Sequence, residues 1–212
     1  MPEALNVREL LPVLRSGGPP ALSVADRARL TRRTRALAWA GIGWHVLECA
    51  IAVAAGLAAS SIALIGFGID SAIESAAGLV VVWLFASRRA GSAVAERRAQ
   101  RLIAGSFFAL AAYVAVEALR SLAAGTEPSA SWVGIGLAAV TAPTMPVLAR
   151  YKRRLGRQLG SHATVSEGAQ TMLCAYLSVG LLVGLGANAV LGWWWADPLC
   201  ALAIAAVAVR EG

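Results

Sequence analysis

Six apolar runs of roughly twenty residues, each long enough to cross ~30 Å of hydrocarbon, recur along this chain and leave little choice of fold. They lie near 36–58, 62–86, 102–123, 131–149, 165–187 and 190–209. A soluble domain could not bury them: 58% of the residues are hydrophobic, 15% are charged, and mean hydropathy is +0.66. The expected fold class is an all-α integral membrane protein with six transmembrane helices. The segment before Ala36 is polar, basic and Pro-containing, which is unlike a secretory signal, and it reads as a cytoplasmic tail over 1–35 ahead of a membrane domain over 36–212.

Lys and Arg set the expected orientation. Arg8, Arg15, Arg27, Arg29, Arg32, Arg33 and Arg35 precede the first run. Arg88, Arg89, Arg97, Arg98 and Arg101 occupy the second connection, and Arg150, Lys152, Arg153, Arg154 and Arg157 the fourth. With Arg210, 18 of the 19 basic residues fall on one side, and only Arg120 lies opposite. Both termini are therefore expected in the cytoplasm of a multi-pass cell-membrane protein. The net charge of +7 is a topology signal and does not indicate nucleic-acid binding, because the charges are divided among loops without interleaved aromatics.

Polar residues at membrane depth carry the chemistry. An ionised carboxylate in hydrocarbon costs at least ~2.5 kcal/mol, so it persists only beside a cation, a proton or a polar partner. Asp70 and Glu74 stand four residues apart in the second run, on one helix face. His45 and Glu48 lie in the first run, and Gln170, Thr171 and Cys174 in the fifth. One reading is a hydrogen-bonded network that fixes helix contacts. The other, favoured by the clustering of three acids with His, Gln and Cys, is a cation pathway holding a divalent metal between hard and soft donors.

Glu117, Asp197 and Glu167 form a secondary polar set for proton movement; Asp197 before Pro198 also fits a helix-start cap, and Glu117 can pair with Arg120. Cys49, Cys174 and Cys200 all fall within runs, which excludes an extracellular disulfide framework. No HExxH and no serine beside a base is present, so an enzyme is not expected. Gly180 and Gly184 at GxxxG spacing, and Gly41 with Gly43, permit close helix approach. Pro143 and Pro146 are placed to bend the fourth helix, and Trp193, Trp194 and Trp195 read as an interfacial anchor.

The segment AGLAASSIALIGFGIDSAIES, with Asp70-Ser71-Ala72-Ile73-Glu74, resembles the second-helix HSxxD or DSxxD region of the cation diffusion facilitators, the six-span divalent-metal/proton exchangers. SEGAQTMLCAYLSVGLLVG is similar to that family's ADAxHxxxD segment, with Gln170 and Cys174 at the two ligand positions. GWWWADPLCALAIAAVAVREG, Gly192–Gly212, is similar to its sixth helix, and the resemblance extends over about residues 30–212.

The resemblance implies export of a zinc-like divalent cation in exchange for protons by a homodimer, with no permanently bound cofactor. Its partners would be divalent metal ions, protons and the lipid bilayer. The implied ligands are Asp70, Glu74, Gln170 and Cys174, with Glu48, a feature like that of a divergent branch, and His45 as further candidates. Gln170 and Cys174 replace the usual His and Asp, which supports an alternative: a transport-inactive membrane scaffold that keeps the cation-efflux fold. The cytosolic domain that commonly follows the sixth helix is not expected.

Overall fold

A computed structural model describes residues 22–59, 61–86, 91–125 and 131–211. The described residues form six helices: α1 (Val24–Ala59), α2 (Ile62–Leu84), α3 (Ala93–Ala124), α4 (Trp132–Leu159), α5 (His162–Leu191) and α6 (Ala196–Glu211). The chain is an all-helical, multi-pass membrane bundle. The first five helices are long and apolar enough to span a membrane. The sixth run gives a shorter element, because its first residues finish α5 and Gly192 then turns the chain at φ 70°. The 16 residues of α6 reach only about 24 Å.

Serine side chains start the helices. Ser61, Ser92, Ser131 and Ser161 each accept a hydrogen bond from the backbone N–H three residues on, at 3.2, 3.3, 3.1 and 3.2 Å, satisfying a donor that hydrocarbon would leave bare. Gly125 and Gly160, at φ 57° and 66°, end α3 and α4 in the left-handed conformation. At their basic ends the helices run beyond the apolar segments. Arg27 to Arg35 lie on α1, Arg97 to Arg101 on α3 and Arg150 to Arg157 on α4, not in connections; Arg8, Arg15, Arg88 and Arg89 lie outside the described residues. Pro143 and Pro146 sit within a continuous α4. Trp193 and Trp195 stack at 5.4 Å between α5 and α6.

The α1–α2 and α4–α5 hairpins repeat one another at positions 100 residues apart. From Thr34 to Gly56 the buried face of α1 is Thr34, Ala38, Gly41, His45, Glu48, Ala52 and Gly56; from Gly134 to Gly156 that of α4 is Gly134, Ala138, Thr141, Met145, Ala149, Lys152 and Gly156. Only the fifth position is out of step. A Cβ on Gly56 would meet Ile65 N at 2.8 Å, and one on Gly156 would meet Val165 N at 2.9 Å. Gly68 packs on Cys49 O and Val53 N as Gly168 packs on Ala149 O and Arg153 N. Ser61 N donates to Gly56 O at 2.9 Å, and Ser161 N to Gly156 O at 2.9 Å.

These two turns lie at opposite ends of the bundle. The start of α4 meets the start of α2 through Gly134 and Leu64. At the other end Glu96, near the start of α3, accepts from Ala163 N at 2.8 Å and Ser161 Oγ at 3.0 Å at the start of α5. The hairpins are thus an inverted repeat, the architecture that builds sites between halves. An apolar cluster around Leu64, Phe67, Met145 and Leu185 fills the α1–α2 end. Another around Leu84, Ile103, Phe107 and Leu173 fills the α4–α5 end. Between them lies a polar belt.

Gly56→Ala and Gly156→Ala are each expected to lower stability in detergent by about 1–3 kcal/mol, because the added methyl meets backbone that cannot yield. Gly43→Ala, which meets open space, should leave the thermal midpoint unchanged.

Candidate metal site

The helical spacing of α1 points His45 and Glu48 into the belt one turn apart, where α2 presents Asp70, Ser71 and Glu74 and α5 presents Glu167, Thr171 and Cys174. All are at most 1% exposed. His45 ties the helices together: Nδ1 lies 3.1 Å from Glu48 Oε2, and Nε2 lies 3.2 Å from Glu74 Oε1. Glu48 is saturated, because Oε2 also accepts from Ser71 Oγ at 2.9 Å while Oε1 accepts from Thr141 Oγ1 on α4. A neutral ring that donates from Nδ1 to Glu48 turns its Nε2 lone pair on Glu74. Two acceptors then face each other, and a cation or a proton between them relieves the repulsion.

Three different donors converge here. One atom each from His45, Glu74 and Cys174 lies within 4.8 Å of the other two. In a tetrahedral zinc site such atoms are about 3.3–3.8 Å apart, so side-chain movements of about 1 Å would close the set. Asp70 stands beside it, facing Glu74, His45 and Cys174. Neither Asp70 Oδ2 nor Glu74 Oε2 ends a hydrogen bond, although both are buried. Buried carboxylate oxygens without donors leave room for a cation.

The other expected residues make contacts of their own. Gln170 Nε2 donates to Ser106 Oγ on α3 at 3.0 Å, while its buried Oε1 ends no hydrogen bond. Glu117 accepts from Arg120 Nη1 at 2.8 Å, the pairing its spacing allows. It lines a cavity of about 50 Å³ with Tyr113, Ser121 and Pro198. The side chains of Asp197 and Cys200 lie outside the described residues. Glu167 meets a residue the basic-loop reading misplaced.

Lys152 belongs to the site's surroundings, not to a cytoplasmic connection. It lies on the inner face of α4 at 3% exposure. Its Nζ is 2.5 Å from Glu167 Oε1 and 4.0 Å from Glu74 Oε1, and it donates to Thr171 Oγ1 at 2.9 Å. The count of basic residues grouped it with its arginine neighbours. The spacing 138, 141, 145, 149, 152, 156 on α4 would have separated it from them. Thr141 and Ser106 were missed as well, since a hydroxyl within an apolar run has no distinctive spacing.

The cation efflux transmembrane domain matches residues 38–212. An uncharacterized transporter of Synechocystis sp. is 24% identical over 181 residues, which cover 82% of this chain and 58% of the relative. The chain thus spans a little over half the length of that transporter. Fold and match together define a multi-pass protein built around a buried polar belt. The chain belongs to the cation efflux family, whose members are transporters rather than enzymes.

Since the Gln170 amide is anchored to Ser106 through Nε2 and its neutral oxygen is a weak zinc donor, Gln170→Leu should change metal affinity less than about threefold and lower stability by about 1 kcal/mol, the worth of its bond to Ser106. Calorimetric titration with zinc and thermal unfolding would test the two halves of this expectation.

Proposed function

We propose that this chain carries a divalent metal cation, zinc by best fit, out of the cytoplasm in exchange for protons. The observation that carries the reading is the convergence of His45, Glu74 and Cys174 from three helices within 4.8 Å, all buried. An imidazole nitrogen, a carboxylate oxygen and a thiol sulfur form a zinc-type donor set. Asp70 would supply the fourth ligand. Glu48, with both oxygens engaged, orients the His45 ring through Nδ1, the arrangement by which a carboxylate commonly supports a metal-ligating histidine.

Proton exchange follows from the chemistry of the donors. Thiol, imidazole and carboxylate must each present a free lone pair to a metal, so an arriving proton and an arriving ion exclude one another. The basic helix extensions at the α4–α5 end support a cytoplasmic placement of that end and of both termini. The ion would then reach the belt from that end.

Vesicles containing the purified chain should take up zinc and move protons the opposite way. His45→Ala, Glu74→Ala and Cys174→Ala are each expected to slow uptake by about tenfold or more while the protein remains folded and inserted, through loss of a ligand. Maleimide labelling of Cys174 should slow when zinc is added. Absence of flux with every first-row divalent ion would overturn the proposal in favour of a transport-inactive scaffold.

A further inference from the structure

We infer that Lys152 is a tethered counter-cation that competes with the transported ion for Glu74 and so sets how tightly the site holds its cargo. This rests on the reading of the belt as a cation site. The ammonium lies where all four helices of the two hairpins meet. It comes from α4, reaches Glu167 and Thr171 on α5 and Glu74 on α2, and passes Gly41 on α1, whose Cβ position is 3.6 Å from Nζ.

A lysine serving only to neutralise Glu167 would have no reason to be near Glu74. Here Glu74 Oε1, the oxygen facing His45 at 3.2 Å, is also the oxygen 4.0 Å from the ammonium. An ion bound to Glu74 therefore sits close to a fixed positive charge in a medium that screens it poorly. Lysine suits this role, since its charge is compact and its four-carbon stem lets the ammonium withdraw toward Glu167 as an ion enters and return as it leaves.

The order along the helices adds a directional element. On α1 Gly41 comes before His45, on α2 Glu74 comes after Asp70, and on α5 Glu167 comes before Cys174. Each of the Lys152 neighbours is thus displaced toward the α4–α5 end. An ion approaching from the basic end meets the Lys152–Glu167 pair before it meets His45 and Cys174.

The test is zinc titration of the purified full-length chain in nanodiscs, comparing wild type with Lys152→Met, Glu167→Gln and the double variant Lys152→Met/Glu167→Gln. Removing the ammonium should tighten zinc binding by about tenfold or more. The double variant, which leaves no unpaired charge at Glu167, should keep that gain even if Lys152→Met alone folds poorly. Glu167→Gln alone, which frees the ammonium for Glu74, should weaken binding. A purely structural ion pair would move stability and leave affinity alone. Wild-type binding with affinity unaltered in the double variant and in Glu167→Gln overturns this inference by itself, whereas wild type that binds no zinc overturns the site reading and this inference together.

Discussion

The cost of placing charge where water cannot follow governs this structure. Glu48, Asp70, Glu74, Glu167, His45 and Lys152 are all within 3% of complete burial. An isolated charge at such depth costs at least about 2.5 kcal/mol. The chain meets this cost by arranging the groups as mutual partners: Glu48 with His45, Ser71 and Thr141, His45 with Glu74, and Lys152 with Glu167 and Thr171. The arrangement draws on α1, α2, α4 and α5 at once. Removing one partner strands another, so the belt holds the hairpins in register through mutual dependence.

That dependence also leaves the belt incomplete. Asp70 and Glu74 keep oxygens that end no hydrogen bond, and the imidazole between two carboxylates has more acceptors around it than a neutral ring can serve. His45, Asp70 and Glu74 are thus left with unsatisfied capacity. Packing alone would select against such a state, because apolar side chains of similar size fill space without it. On the proposed reading, a site that must accept and surrender a cation needs that capacity.

Much of this could be read from residue order, and the failures have physical causes. Helix number and the location of the acids followed from the apolar runs, since backbone groups in hydrocarbon must pair within a helix. The three-residue spacing of His45 and Glu48 puts them on one helix face, where the structure pairs them. Helix ends were harder, because basic extensions continue as helix after hydropathy falls, as along Arg150 to Arg157 on α4. Lys152 was misplaced because hydropathy averages over neighbours whereas burial depends on the face of the helix. Gln170 was expected at a ligand position by resemblance, and the bond its Nε2 makes to Ser106 on α3 is a contact that no spacing within α5 reveals.

The repeat was also faint in the sequence, since Gly56/Gly156, Ser61/Ser161, Ala63/Ala163 and Gly68/Gly168 are scattered identities among many differences. Those differences make the site possible. Where α2 has Asp70 and Glu74, α5 has Gln170 and Cys174; where α1 has His45 and Ala52, α4 has Met145 and Lys152; where α2 has Phe67, α5 has Glu167. Two copies of the α1–α2 hairpin would crowd six acids, Glu48, Asp70 and Glu74 twice over, around one axis, where they would repel one another. Instead the scaffold remains paired while the chemistry divides, with the His45–Glu74 contact in one hairpin and the ammonium and thiol in the other. Each hairpin is closely packed within itself, glycine against backbone. The separation of Glu74 from Cys174 and from Lys152 is therefore set at the interface between the hairpins, and the spacing of the three donors and of the ammonium depends on that one interface.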